Sequence, residues 1–248
     1  MALKAPRLKD PNIIIRPVRN HREIAEANAL VCNNYIQEGY WDNAEPFQKN
    51  RHMHSDLRAV FIAETKGRIV GTGSLVKDSQ EGLPVDKSYG DVIRKFRQRG
   101  ERIAEVSALA IDKSYAEQRN LVIFLFKYLY QYAFYYAHID RFLIAIIARH
   151  APFYRSVYRF EEIPNKANYE YVKPEFAPVL LTLPLVEAHK TYYERYEAGI
   201  ADKSQSYYRF MLVDEHPNLQ FPNKDQMVRR REIDWVAEAT LRQLPIAV

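Results

Sequence analysis

Glu105 is the one carboxylate in Ile103-Ala104-Glu105-Val106-Ser107-Ala108-Leu109-Ala110-Ile111, an otherwise largely apolar run of strand length. A carboxyl group in such surroundings loses hydration of its charged form, so its pKa is expected to rise toward the range in which it can exchange a proton with a substrate. The competing placement is at a solvated strand end, or against Arg102 or another arginine, where the carboxylate would only balance a charge. His52 and His54 form the closest histidine pair, but on a helix a two-residue spacing points the rings apart, so no metal site is expected. Cys32, the only cysteine, has no nearby base in the sequence and reads as a small buried hydrophobe. One thiol can form neither an intrachain disulfide nor a cysteine cluster for zinc or iron-sulfur. Tyr35, Tyr40 and Trp41 could wall a pocket or simply pack in a core.

Composition narrows the function classes. Glycine supplies only 8 of 248 residues, and none lies between Gly100 and Gly199. No G-x-G-x-x-G dinucleotide fingerprint and no G-x-x-x-x-G-K phosphate loop can be written in the chain, which argues against Rossmann oxidoreductases and P-loop nucleotidases. The nearest approach, Gly71-Thr72-Gly73, is too short to carry that meaning. Lysine and arginine number 36 against 31 aspartate and glutamate, a net +5 that is too small to imply nucleic acid without a concentrated patch. Two clusters, Arg94-Lys95-Phe96-Arg97-Gln98-Arg99 and Arg229-Arg230-Arg231, are either solvated helix faces or docks for an acidic partner. The first ten residues hold charges and a proline where a secretory signal needs an apolar run; with a single cysteine, a reducing, cytoplasmic location is expected. Tyrosine outnumbers phenylalanine 18 to 12, which favours sites where ring faces are buried and hydroxyls reach a polar partner.

The elements that must position these residues follow from pattern. Residues 12–18 read as a strand, and Asn20 as the cap of a helix to about residue 35 with Ile24, Ala27, Leu30 and Val31 on one face. A short helix follows the Tyr40-Trp41 region. Residues 59–65 and 68–76, joined by Lys66-Gly67, form a β-hairpin. Residues 77–87 form a loop, 89–98 a basic helix and 103–111 a strand. Residues 121–138 make a helix buried nearly all round, too interrupted by Lys127 and Gln131 for a membrane span. Residues 142–148 are a strand covered on both faces. Residues 150–157 form a short helix with Pro152 in its first turn, and strands are expected over 158–163 and 178–183. The class is α/β: a mixed sheet flanked by helices over residues 1–185, with a helical C-terminal extension, residues 186–248, holding helices at 186–198 and 225–244.

That order, with a carboxylate in the fourth strand and Phe153-Tyr154 opening a helix-to-strand segment that ends at Phe160, resembles the GNAT acyltransferase superfamily. The wording of Arg149-His150-Ala151-Pro152-Phe153-Tyr154-Arg155 and of residues 104–111 is similar to the FeeM-type N-acyl amino acid synthases, relatives of the acyl-homoserine-lactone synthases. The element order matches over about residues 13–185, and the motifs match in those two segments and around Tyr35, Tyr40 and Trp41. Ala108 stands where the homoserine-lactone synthases carry Arg, which argues against that chemistry. Arg159 stands where a glycine usually precedes the final Phe.

The resemblance implies transfer of an acyl group from a thioester to a primary amine. Glu105 is then the base that takes the amine's proton, directly or through water. Backbone N–H groups of Leu109, Ala110 and Ile111, on a strand splayed from its neighbour, are the implied donors to the thioester oxygen; an unbroken ladder strand is the alternative. Tyr154 would hydrogen-bond or protonate the leaving sulfur, with Tyr158 as its competitor and packing as the bland alternative. Tyr40 and Trp41 would wall the acyl or acceptor pocket. Arg149 would take the carboxylate of an amino acid acceptor or would be a surface charge.

CoA-dependent relatives rest the diphosphate on a glycine-containing loop at the start of the long helix, where this chain has Gln118-Arg119-Asn120 and no glycine. An acyl carrier protein needs only a tunnel for its phosphopantetheine arm and a basic rim, here Arg94, Lys95, Arg97, Arg99 and Arg119. The expected function is therefore transfer of a long-chain acyl group from acyl carrier protein, with acyl-CoA as surrogate donor, to an amino acid. No permanently bound cofactor, nucleic-acid partner or integral membrane segment is expected. The alternatives are a non-catalytic GNAT-fold module that binds acyl groups or carrier protein, favoured if no cleft reaches Glu105, and a CoA-dependent N-acetyltransferase, favoured by a small acyl pocket.

Overall fold

A computed structural model of the chain describes residues 4–115, 120–164, 172–176 and 178–222. The chain opens with β1 (Ile14–Pro17), α1 (His21–Gln37), α2 (Glu45–Lys49) and a hairpin of β2 (Arg58–Thr65) and β3 (Arg68–Lys77). It continues with α3 (Asp86–Gln98), β4 (Ile103–Ile111), α4 (Asn120–Gln131) and β5 (Arg141–Ile147). The last elements are α5 (Ala151–Val157), a two-residue β6 (Glu161–Glu162), β7 (Pro178–Pro184) and α6 (Leu185–Tyr196). Asn20 caps α1 as its side chain accepts from the Glu23 amide at 3.0 Å. Lys66 and Gly67 turn the hairpin with φ of 49° and 72°, the left-handed pair that matches strand twist.

The seven strands form one sheet in the order β1-β2-β3-β4-β5-β7-β6, antiparallel throughout except between β4 and β5. That parallel pair is brief. Ile103, Ala104 and Glu105 face Arg141, Phe142 and Leu143, and beyond them the two strands part although each runs on for several residues. A bulge accompanies the parting. Opposite β3 the register slips between Thr72 and Ser74, and Ala108 adopts a φ of 50°. The slip changes faces: Ile103 packs with one core cluster and Ala104 and Val106 with the other, whereas after the bulge Ala108 and Ala110 return to the first. Gly73 sits opposite the extra residue. A Cβ there would lie 3.2 Å from both Leu109 and Leu129, and one at Gly71 would lie 3.0 Å from Leu125, so Gly71-Thr72-Gly73 lets α4 pack closely on the bulged region.

Each face of the sheet has its own core. One cluster gathers α4, α5 and α6 with Phe61, Val106, Phe142 and Leu181; the other gathers Val31, Phe47, Met53, Val85, Tyr89 and Ile93 from α1 to α3. The short β6 has a local cause. Tyr158 turns into the core, its ring 4.0 Å from that of Phe126, and Arg159 takes a φ of 59°, so the extended run expected over 158–163 meets β7 only from Glu161 onward. The left-handed turn that glycine usually makes is thus kept with an arginine.

After Leu185, α6 and the segment to residue 222 join the same core, through Tyr192, Tyr207, Phe210, Met211, Leu212 and Leu219. Their tyrosines behave as the composition suggests, with rings buried and hydroxyls donating to backbone carbonyls: Tyr192 to Tyr158 at 2.5 Å, Tyr196 to Val157 at 3.1 Å. The helix expected at 225–244 and the Arg229-Arg230-Arg231 cluster lie outside the described residues. No helix among the described residues is long and apolar enough to cross a membrane.

α4 is buried nearly all round because this segment covers it. Lys127, Gln131 and Tyr135, one turn apart, each donate to carbonyls of residues 210–214; the Lys127 ammonium bonds those of Phe210 and Asp214. Burial lowers the Lys127 pKa to about 7. Between that value and the ordinary 10.5 the unfolded chain binds a proton that the folded chain does not, so this group makes stability rise with pH. Chemical denaturation from pH 7 to 9, below the range of tyrosine ionisation, is therefore expected to show a steeper rise for the wild type than for Lys127→Met. Parallel slopes would contradict the assignment.

Candidate active site

Where β4 and β5 part, a cavity of about 820 Å³ passes through the sheet. On one side it is lined by Val122 of α4 and by Phe153 and Tyr154 of α5. On the other it is lined by Val31, Tyr35, Phe47 and Met53 from α1, α2 and the turn that follows. Its volume lies toward the upper end of the roughly 300–1,000 Å³ usual for small-molecule pockets, and its walls are mostly apolar.

Glu105 is the only carboxylate among the described lining residues, and it sits at the last paired position before the strands separate. It is 2% exposed, so it is not at a solvated strand end. Arg102 is bidentate to Asp140 at 2.9 Å. One Glu105 oxygen accepts the Val85 amide at 3.0 Å. That amide is held in place from a distance: Arg97 makes paired hydrogen bonds of 2.6–2.9 Å to both Asp78 and Asp86, bracing the loop that ends at Val85. The expected rim arginine is thus a brace for the site's carboxylate.

Tyr154 lines the cavity and Tyr158 does not, which separates the two candidates. Burial, with a smaller contribution from Tyr35, pushes the Tyr154 hydroxyl well above the ordinary phenol value. Leu109 and Ile111 line the cavity; Ala110 packs in the core cluster on the α1 to α3 side. The side of β4 that would face β5 has no strand partner beyond Glu105 among the described residues. Tyr40 and Trp41 are walls, Trp41 with its ring 4.5 Å from Tyr35 and 6.2 Å from Phe47.

Arg149 stands at the mouth, where the end of α1 spans the two separated strands. Asn34 donates to the carbonyl of Ile111 at 2.7 Å, and Glu38 binds Arg149 at 2.8 Å while lying 3.9 Å from Lys113. Arg149 also donates to the Tyr40 hydroxyl at 2.5 Å. The cations of α3 are elsewhere. Arg94 pairs with Asp91 on the exposed face of α3, and Arg99 pairs with Glu101, which also holds Arg141 at the start of β5, so Arg99 lies at the closed end of the β4–β5 gap. Arg119 lies outside the described residues.

His150 is a lining residue that sequence reasoning passed over in favour of its charged neighbour. Its Nε2 is 3.5 Å from the Tyr40 hydroxyl, and although the residue as a whole is exposed, lost hydration around the ring, reinforced by Arg149, lowers its pKa below the ordinary imidazole value. Its position one residue before the Ala151-Pro152-Phe153-Tyr154 segment was the available signal. His52 is buried and Cys32 half-buried, its thiol pushed up by burial; neither lines the cavity.

A carboxylate and a buried tyrosine lining one apolar cleft, beside a strand edge left without a partner among the described residues, suit acyl transfer to an amine. Known proteins agree. The family described as N-acyl amino acid synthase FeeM matches residues 26–184. Among solved structures, FeeM, an N-acyl amino acid synthase from uncultured soil microbes, superposes with a TM-score of 0.63 at 26% identity, covering 73% of this chain and 95% of its own. A CoA-dependent acyl-homoserine lactone synthase, BjaI, with SAM and isopentyl-CoA, gives 0.52 at 13% identity over 92% of this chain and 99% of its own. An agmatine N-acetyltransferase mutant in its apo form gives 0.50 at 15% identity over 70% and 99%. At those identities the last two show the fold alone. No curated protein matches significantly. With its family match spanning more than half its length, this chain belongs to the FeeM family of N-acyl amino acid synthases and is an acyltransferase with a GNAT fold.

Proposed function

We propose that the protein transfers a long-chain acyl group from the phosphopantetheine thioester of an acyl carrier protein to the amine of an amino acid. The observation that carries this reading is the large apolar cavity running through the strand gap to Glu105. An acetyl group would leave most of it empty, and a non-catalytic module has no need of a carboxylate at its apex. The amino acid acceptor is suggested by the FeeM name, and the carrier-protein donor by the absence of glycine in residues 116–119 before α4. BjaI uses CoA on the same fold, so the fold alone does not choose the donor.

In the proposed reaction Glu105 takes the proton that the amine must lose. The amine nitrogen attacks the thioester carbonyl carbon, and charge on the oxygen is met by backbone N–H groups of Leu109 and Ile111 on the edge of β4 that β5 has left, Ala110 being paired with Thr72 of β3. The C–N bond forms and the C–S bond breaks. Because burial holds the Tyr154 proton tightly, the phenol serves the sulfur as a hydrogen-bond donor and not as the proton source; the thiolate takes its proton from water. Arg149 at the mouth is available to the acceptor carboxylate only by leaving Glu38 and Tyr40.

A hydrogen bond to a developing thiolate is worth about 1.5–3 kcal/mol. Tyr154→Phe is expected to lower kcat by roughly 10- to 100-fold, and less with a thioester whose thiol leaves easily. Tyr158→Phe, off the cavity, is expected to change kcat little. Equal losses in the two variants, or a Tyr154 effect independent of the leaving thiol, would contradict the role. The donor is tested by steady-state turnover with dodecanoyl carrier protein and dodecanoyl-CoA and the same amino acid. A higher kcat/KM with the carrier protein is expected, and an equal or better value with CoA would overturn that part of the reading.

A further inference from the structure

An amino acid acceptor brings a carboxylate into a cavity whose described lining residues include no lysine or arginine. Two arginines adjoin it. Arg149 is exposed and already paired. Arg58, the first residue of β2, is the opposite case: it is 93% buried by its 7% exposure, and no carboxylate pairs with it among the described residues. Its donors meet only neutral groups, with Nε on Ser74 Oγ at 2.9 Å and Nη1 on Asn28 Oδ1 at 2.9 Å and the Met53 carbonyl at 2.8 Å. Nη2 is buried without a hydrogen-bond partner among the described residues. A buried guanidinium with neutral partners and a spare donor is costly unless an anion arrives to use it.

The sheet places this cation toward the cavity. Arg58 faces Val76 of β3, and Val76 faces Glu105 of β4, so the three share one cross-strand row on one face. With strands about 4.8 Å apart, the Arg58 and Glu105 backbones are separated by about 10 Å, and the arginine side chain reaches back across part of that span to Ser74. The β4 partner of Ser74 is Ser107, which lines the cavity. Met53 and Phe47 also line it, and the guanidinium carbon rests 5.6 Å from the Phe47 ring centre. Met53, whose carbonyl accepts from Arg58, is unbranched and adaptable, so the cavity wall beside the guanidinium can yield to a ligand.

We propose that Arg58 receives the acceptor's carboxylate, drawing it to the β2–β3 side of the cavity and leaving the α-amine toward Glu105. The assignment deepens the amino acid reading above and rests on it. The alternative is that Arg58 merely ties α1, the turn after α2 and β3 together through Asn28, Met53 and Ser74.

The test is the affinity of the full chain for N-dodecanoylglycine against its neutral amide, N-dodecanoylglycinamide, by calorimetry at pH 7.5. The wild type is expected to prefer the acid at least tenfold. Arg58→Gln is expected to bring the ratio near one while binding the amide as the wild type does, which shows the acyl pocket intact; Arg149→Gln is expected to keep the preference. A preference retained in Arg58→Gln, lost in Arg149→Gln, or missing from the wild type overturns the proposal. Should Arg58→Gln fail to fold, a crystal structure of the wild type with N-dodecanoylglycine decides: its carboxylate lies within hydrogen-bond distance of Arg58 Nη2, or the proposal falls. If the acid binds through Arg58 but no amino acid is acylated, the site stands and the catalytic reading falls.

Discussion

Glu105→Gln is expected to lower kcat/KM for amide formation by about 10²- to 10⁴-fold, the usual contribution of a positioned general base. The substitution separates chemistry from structure. The glutamine carbonyl can still accept the Val85 amide, so the loop braced by Arg97 keeps its anchor and the cavity its shape. What is lost is the capacity to take a proton at the one place where an apolar cleft meets a carboxylate. Thermal unfolding and binding of a non-reactive acyl thioester analogue should therefore match the wild type while product formation collapses. A Glu105→Gln enzyme retaining more than a third of wild-type kcat/KM would remove the carboxylate from the mechanism.

The second large effect concerns the donor chain. A dodecanoyl group carries ten more carbons than an acetyl group, and each buried methylene contributes about 0.8 kcal/mol. Even half of that total, realised in the transition state, gives a preference of roughly 10³. Kinetics with acetyl, hexanoyl and dodecanoyl donors on the same carrier should show kcat/KM rising with length until the cavity is filled. A flat series, or a maximum at acetyl, would mean that the apolar walls of the cavity do not hold the acyl chain.

Much of this site was legible because its signals are local. The bounds of β4 follow from its apolar run, and Glu105 stands out in it as the lone charge. The Asn20 cap and the Lys66-Gly67 turn are likewise short-range chemistry. What the sequence did not disclose depends on distant partners. The Val85 amide reaches Glu105 across 20 positions, and Arg97, which reads as part of a basic face, is engaged by Asp78 and Asp86. Arg58 follows Asp56 and Leu57 in an unremarkable polar stretch, and nothing local indicates that Ser74 and Asn28 will enclose it. The bulge at Ala108 was hidden for a related reason: alanine gives no sign of a positive φ, and the need for one arises from where β4 leaves β5. The C-terminal segment looked like an extension because its polar and tyrosine-rich composition conceals how many hydroxyls and carbonyls pair on reaching α4 and α5.

The most direct test of the central claim is product analysis. The protein is incubated with dodecanoyl acyl carrier protein and a pool of amino acids, and the mixture is read by mass spectrometry. The expected result is one or a few N-dodecanoyl amino acids formed by the wild type and nearly absent with Glu105→Gln. No amide from the wild type, or equal yields from the two proteins, would contradict it.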